Sequence, residues 1–327
     1  MYKFKNVYLM RVLLTIAFVL LQLVTNQAMA AFPDKPVTLV VGFAAGGLPD
    51  MMARSLAEAS KEFLGQPIVI SNRPGGTGSI AASLVTDAPR DGYTVGLIYG
   101  PTISVMPQIV SETRYKGPDD FTPIMSMVQA PVYLIVKSNA PWTTPAQFLA
   151  AAKAKPGAIR AGTSGVGTMG AIMLDHLKQS QGIDITSVPF QGAAQGLTAV
   201  LGGHIEALIG NSGSVTGQLN AGTVRLLGVF EPKRVMGIPG MAEVPTFMEY
   251  GYPLIARSSG YFLATTKGVQ DDIVQKLAAA FTKGMSTSAF QDFARANGLM
   301  IDINPSQKLG EVMRSDFEFM VKIFKRQ

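Results

Sequence analysis

Apolar and polar positions follow two rhythms along this chain, and the first place where one hands over to the other is the most informative. Residues 37–43 (VTLVVGF) form an apolar, β-branched run, too short for a helix and bounded by turn signals. This predicts a central strand of a parallel sheet. Ala44, Ala45, Gly46 and Gly47 then leave the backbone bare, Pro49 suits the first helical position, and apolar Leu48, Met52, Leu56 and Phe63 recur at helical spacing. A strand-to-helix turn of this kind aims free backbone N–H groups above the sheet, where the helix dipole favours an anion.

The alternation continues downstream. Residues 66–71 read as a strand, 72–76 as a turn, 78–86 as a short helix and 93–99 as a third strand, introduced by Asp91-Gly92. Residues 121–127 and 131–136 are strand-like with no helix between them, as expected either where a chain crosses between two domains or at a simple sheet edge. A second series then begins: a helix at 146–155, a strand at 158–163, a glycine turn at 164–167 and a helix at 168–179. This repeats the opening arrangement about 120 residues later. Strands at 185–190, 205–210 and 224–230 alternate with helices at 193–201 and 214–219. Pro239, Pro245 and Pro253 mark an irregular return, and 261–264 reads as a strand. Helices at 271–285, 289–297 and 305–324 end the chain, the last presenting Leu309, Val312, Met313, Phe317, Met320 and Phe324 on one face. Alternating strands and helices predict doubly wound α/β sheets with ligand sites at the carboxyl ends of the strands.

The first thirty residues stand outside this pattern. A basic start (Lys3, Lys5, Arg11), an apolar run at 12–24 and the small residues Ala28-Met29-Ala30 predict an export signal peptide over 1–30. Its apolar core is short for a membrane span, and nothing later approaches eighteen uninterrupted apolar residues. The chain has no cysteine, which excludes disulfides and a lipid-anchored cysteine. The expectation is a soluble protein of the bacterial periplasm, not a lipoprotein. Of 28 Lys and Arg the signal carries three, so the mature balance is 25 basic against 22 acidic residues. With no basic run interleaved with aromatics, nucleic acid is not an expected partner.

Catalytic chemistry finds little support in the residue types. Gly165-x-Gly167-x-x-Gly170 follows a strand and opens a helix, but Asp184 precedes the next strand, whereas a dinucleotide fingerprint needs an acidic residue at its end. No GxSxG occurs, His176 and His204 are the only histidines, and neither HExxH nor a cysteine ligand set is present. The glycines at 75–78 serve either a tight turn or a site. Asp50, in the first turn of a helix, either complements the dipole with Arg54 as its partner one turn on, or accepts hydrogen bonds from a bound amine or ordered waters.

Taken together, the segments GFAAGGLPDMMAR (42–54), GQPIVISNRPGGTGSIAA (65–82), DGYT (91–94), DDFTPI (119–124), KPG (155–157), GTSGVGT (162–168) and EVPTFMEYGYP (243–253) follow one another in order. The chain resembles the Bug family, the periplasmic solute-binding proteins of tripartite tricarboxylate transporters, almost end to end after residue 30. The resemblance implies a type II periplasmic-binding-protein fold: two α/β lobes joined by crossing strands, closing on a small carboxylate. It places lobe 1 at 31–132 plus 254–327 and lobe 2 at 133–253. It further implies that two strand-to-helix loops, one per lobe, grip the carboxylate through backbone amides and bridging waters.

Carried over by position, the first loop brings Phe43, Ala45, Gly46, Gly47 and Asp50, the aspartate helping to hold the waters. The second brings Thr163, Ser164, Gly165, Gly167 and Thr168, while Tyr99, Gln191, Gly192 and Asn211 would tune the distal end of the ligand. Two departures from the family pattern are visible: Phe190-Gln191-Gly192 replaces Tyr-Lys-Gly, and Met169-Gly170 stands where a polar residue and a histidine are usual. They point toward an apolar or aromatic carboxylate, or a dicarboxylate, ahead of a tricarboxylate. The expected protein is a monomeric binding protein with no catalytic residue, cofactor or metal, delivering its ligand to membrane permease subunits. On this reading Gly46→Pro weakens binding by removing a donor. A secreted enzyme using the same cleft, or a receptor feeding a membrane sensor, is the alternative.

Overall fold

The opening strand β1 (Val37–Val41) buries Val37, Leu39, Val40 and Val41, as a strand covered on both faces must. It lies in a computed structural model of the chain that describes residues 32–252 and 259–324. The expected signal peptide, Pro253 and the expected lobe boundary at 254 fall outside the described residues. After β1 come α1 (Leu48–Leu64), β2 (Ile68–Asn72), α2 (Ser79–Thr86), β3 (Thr94–Tyr99) and two short helices, α3 (Gly100–Ser104) and α4 (Met106–Ile109). The expected turn, helix and strand positions agree with these to within a few residues. The two short helices have no apolar period of their own and were not anticipated.

The crossing follows: β4 (Phe121–Ala130) runs almost directly into β5 (Val132–Lys137). Then come α5 (Pro145–Ala154), β6 (Arg160–Thr163), α6 (Met169–Gln181), β7 (Thr186–Pro189), α7 (Ala193–Leu201) and β8 (Ala207–Asn211). The single helix expected at 214–219 is instead a 3₁₀ turn at Ser212–Ser214 followed by α8 (Thr216–Asn220). The chain ends with β9 (Val224–Val229), β10 (Ser259–Thr266), α9 (Asp271–Met285), α10 (Ser288–Ala296), the two-residue β11 (Met300–Ile301) and α11 (Ser306–Phe324).

Two sheets result. The first has the order β11-β4-β10-β3-β1-β2 and the second β7-β6-β8-β5-β9. In each, a central strand pairs in parallel with two neighbours: β1 with β2 and β3, β6 with β7 and β8. In each, one antiparallel strand is inserted next: β10 between β3 and β4, β5 between β8 and β9. The inserted strand of each sheet is the one the chain supplies when it crosses from the other sheet. The parallel pattern expected from alternation is therefore interrupted in each sheet at the strand delivered by the crossover, and once more in the first sheet at its edge, where the two-residue β11 pairs antiparallel with β4. The repeat seen in the sequence is a repeat of topology, with β1 and β6 in equivalent central places.

Helix packing fixes the first sheet's covering layer. α1 stops at Gly65, left-handed at φ 79°, whose N–H closes on the Lys61 carbonyl. It crosses α9 at Ser60 and Gly284, where a Cβ on Gly284 would lie 2.0 Å from Ser60 Oγ and 3.0 Å from Ser60 Cα. Only glycine permits that approach. Among the described residues no helix is long and apolar enough to cross a membrane.

Candidate functional site

The carboxyl ends of β1, β3, β6, β7 and β8 surround a cavity of about 490 Å³ between the two sheets, well within the range of roughly 300–1,000 Å³ typical of ligand pockets. Its first wall is the turn from β1 into α1. Gly47 N–H bonds the Ala44 carbonyl at 3.3 Å, and Gly46, at φ 81°, adopts a left-handed conformation that glycine takes without cost. Asp50 holds the turn from below. One carboxylate oxygen accepts Gly46 N–H at 2.9 Å and Arg54 Nε at 3.0 Å, and the other accepts Asn72 Nδ2 at 3.0 Å. Asn72 also donates to the Phe43 carbonyl at 3.1 Å, tying the end of β2 to the loop.

Burial raises the Asp50 pKa, but the bonds from Arg54, Gly46 and Asn72, with the Arg54 charge, outweigh it and hold the group below its ordinary value. The carboxylate therefore stays ionised as a brace. Asp50 is 3% exposed and does not line the cavity. Gly46 N–H is likewise taken by Asp50, so, contrary to the expectation behind Gly46→Pro, it is not a donor free to meet a ligand. The amides of Ala44, Ala45 and Leu48, all lining residues, have no hydrogen-bond partner among the described residues.

The facing wall is the turn from β6 into α6. Thr168 Oγ1 donates to the Gly165 carbonyl at 2.8 Å and closes the turn, and the Thr163 carbonyl accepts Phe190 N–H at 3.0 Å. Ser164, Thr168 and Gly170 line the cavity. Thr163 is buried beneath it. Gly165 and Gly167 face away: a Cβ on Gly167 would meet Ile109 Cδ1 and Met106 Sδ of α4 at 2.9 Å. Gly170 passes so close to β8 that a Cβ would lie 2.5 Å from the Ile209 carbonyl oxygen. The glycine at this departure from the family pattern is thus a packing requirement.

Tyr99, at the end of β3, joins the two walls. Its hydroxyl accepts Met169 N–H, the first amide of α6, at 3.0 Å. Its ring meets Phe43 edge-on with centroids 6.0 Å apart and lies 5.1 Å from Tyr261, making an aromatic side to the cavity. Burial pushes the Tyr261 hydroxyl well above its ordinary pKa, with the nearby Tyr99 adding to the effect. At the distal end Gln191 and Gly192 precede α7, Gln195 Oε1 accepts Gln191 N–H at 3.1 Å, and Asn211 closes the end of β8. Among the described residues Asn211 Oδ1 is buried without a partner.

Of the residues expected at the site, Phe43, Ala45, Gly46, Gly47, Tyr99, Ser164, Thr168, Gln191, Gly192 and Asn211 line this cavity. Asp50, Thr163, Gly165 and Gly167 stand behind it. Unanticipated lining residues include Met51, Val132, Ala193, Ala194, Gln195 and Tyr261. Ala193, Ala194 and Gln195 carried a usable signal, since they begin a helix directly after a glycine as Leu48 does. Tyr261 carried none, because β10 reaches β3 only through sheet order. Three helix N-termini, those of α1, α6 and α7, thus border one cavity, and no Lys, Arg, His, Asp or Glu lines it among the described residues.

Comparison with known proteins decides the family. Residues 52–326 match the family described as the tripartite tricarboxylate transporter family receptor, TctC. The chain belongs to that family. Among curated relatives, this TctC-family chain is 30% identical to a UPF0065 protein of Cupriavidus necator, covering 80% of this chain and 78% of the relative. It is 27% identical to BugT of Bordetella pertussis, covering 85% of each. Two solved structures have the same fold. An R. palustris protein solved with adipate is 29% identical with a TM-score of 0.82, covering 90% of this chain and 97% of the other. MatC from Rhodopseudomonas palustris with bound malate is 26% identical with a TM-score of 0.80, covering 90% and 100%. The Bug-type resemblance and the two-lobed periplasmic-binding-protein fold are therefore established for this TctC-family chain.

Proposed function

We propose that this chain captures a small carboxylate in the cleft between its lobes and delivers it to the permease subunits of a tripartite tricarboxylate-type transporter. The observation that carries the reading is the convergence of three helix N-termini, with unpartnered amides at Ala44, Ala45 and Leu48 on one wall and Gly170 on the other, around a cavity without a charged side chain among the described residues. Helix N-termini and amides stabilise an anion without a counter-charge, at roughly 0.3–1 kcal/mol per dipole and roughly 1.5–3 kcal/mol per hydrogen bond to a charged group. That is sufficient for one carboxylate. Each further charge adds a desolvation cost that dipoles alone offset poorly, so a ligand with one carboxylate, or a second at the N-terminus of α7, is favoured over a tricarboxylate.

The apolar side made by Phe43, Tyr99, Tyr261, Met51 and Val132 suits a hydrocarbon or aromatic body, and Gln191, Gln195 and Asn211 suit a polar distal end. Adipate and malate, bound by the two R. palustris neighbours, are the first candidates. The protein would act in the periplasm after loss of residues 1–30, as a monomer, with lobe 1 at 31–132 plus 254–327 and lobe 2 at 133–253. Hydrolysis in the same cleft would need a base beside Ser164, and none lines the cavity among the described residues. Calorimetry and thermal shift with adipate, malate, benzoate and citrate test the proposal. Binding of at least one of the first three, with citrate weakest, is the expected result; absence of heat and of any melting shift with all four refutes the ligand class.

A further inference from the structure

The segment 73–78 (RPGGTG) is distinctive in the sequence yet contributes nothing to the cavity lining. Within it Thr77 is the one non-glycine residue with positive φ among the described residues, at φ 50° and ψ 38°. A β-branched residue in the left-handed region is a genuine outlier, and such conformations persist only where the surroundings over-determine them. The surroundings here do so. Thr102, 1% exposed and itself anchored by the Tyr115 hydroxyl on its carbonyl, donates its own hydroxyl to the Thr77 carbonyl at 2.7 Å. The next residue is wedged as well, since a Cβ on Gly42 would lie 2.5 Å from Gly78 Cα and one on Gly78 would lie 2.9 Å from Thr102 Oγ1.

Held in this conformation, Thr77 sends its hydroxyl out of the first sheet's half of the molecule and donates to the Val166 carbonyl at 2.6 Å. Val166 belongs to the glycine turn of the opposite half, between the cavity-lining Ser164 and Thr168. Other bonds join the halves, Tyr99 to Met169 and Ser212 to Gly298, but they are buried. The Thr77 bond is exposed to solvent.

We propose that Thr77 is a closure latch: a residue that touches no ligand, kept in a strained conformation so that its hydroxyl can hold the second carboxylate-binding turn against the first half when the cleft shuts. The Thr102 bond lies within one half and survives opening; the Val166 bond joins the halves and is lost. The latch therefore favours the closed state whether or not ligand is present. It rests on the binding reading above only for its effect on affinity.

The chain has no cysteine, so nitroxide labels on Glu62→Cys and Gln179→Cys, exposed positions on α1 and α6, report the separation of the halves specifically. In the ligand-free protein, Thr77→Val, which keeps the branched shape and loses the hydroxyl, should raise the ratio of long to short label distances about 3- to 10-fold, the range for one lost hydrogen bond. Thr77→Gly, which also loses the hydroxyl but has no strain, should do the same, while Thr77→Ser should resemble wild type. Wild-type distances that are all long, or a Thr77→Val distribution indistinguishable from wild type, overturn the latch. Calorimetry with adipate on the same variants reads the ligand proposal separately. If adipate binds, Thr77→Val should weaken it by up to the same factor, through faster dissociation; if it does not, the label distances still decide the latch.

Discussion

Replacing Asp50 with Asn removes the charge that braces the first glycine turn while keeping the shape of the side chain. Three donors converge on the carboxylate: Gly46 N–H, Arg54 Nε and Asn72 Nδ2. An amide has one oxygen to offer, so its NH₂ must face a donor on one side or the other. Arg54 is 57% exposed and regains water, so its share should stay below about 1 kcal/mol. The part-buried Gly46 and Asn72 bonds dominate, at roughly 1–3 kcal/mol for a neutral donor left facing the new NH₂ without an acceptor. The sum is about 1–4 kcal/mol, which should lower the melting temperature of the ligand-free protein by about 3–10 °C.

The turn carrying the Ala44 and Ala45 amides should loosen with it, weakening carboxylate binding by about tenfold. The pH dependence supplies a second readout. Asp50's folded pKa lies below its ordinary 3.8, so its stabilisation is complete above that pH and disappears as pH falls through the folded value. The difference in stability between wild type and Asp50→Asn should be flat above about pH 5 and shrink below pH 4. A variant that melts within about 1 °C of wild type, or a difference that persists unchanged to pH 3, would refute the brace.

Four other outcomes can be measured. Gly170→Ala should destabilise the fold by about 1–3 kcal/mol in urea unfolding, because its Cβ would lie 2.5 Å from the Ile209 carbonyl oxygen. Gly284→Ala should cost a similar roughly 1–3 kcal/mol at the α1–α9 crossing without changing ligand affinity, which calorimetry would separate from the first case. Asn211→Asp puts a carboxylate in an uncharged cavity; at ~7 Å from a bound carboxylate and an effective dielectric of ~20, repulsion of about 2 kcal/mol should weaken adipate roughly thirtyfold and relax as the introduced acid is protonated. Glu249, held down to about 2 chiefly by its bonds from Arg234 and Thr246, should titrate toward its ordinary 4.5 in Arg234→Ala when followed by NMR.

Much of the fold can be read from local pattern because period is a local property. The buried run of β1, the apolar stripe of α1, the bare turns at 44–47 and 164–167 and their spacing of about 120 residues all lie in contiguous residues. They suffice to predict two α/β series with an amide-rich turn in each, and hence the cavity's two main walls.

What no local pattern contains is which strand ends up beside which. β10 inserts between β3 and β4 from more than 120 residues away, and only that insertion puts Tyr261 against Tyr99 in the cavity. The same limit explains why the sequence left Asp50 with two readings. Arg54, one turn on, was predictable; Asn72, at the end of the neighbouring strand β2, was not, and it is the set of donors from both that makes Asp50 a brace behind the turn. The role of Gly170 depends on the Ile209 carbonyl of β8, and that of Thr77 on Val166 in the opposite half. The chain alone determined where free backbone amides would gather, because turns and helix starts are written in adjacent residues. The tertiary structure decided which of those amides remain free, because their competing partners come from elements that only sheet order brings within hydrogen-bonding distance.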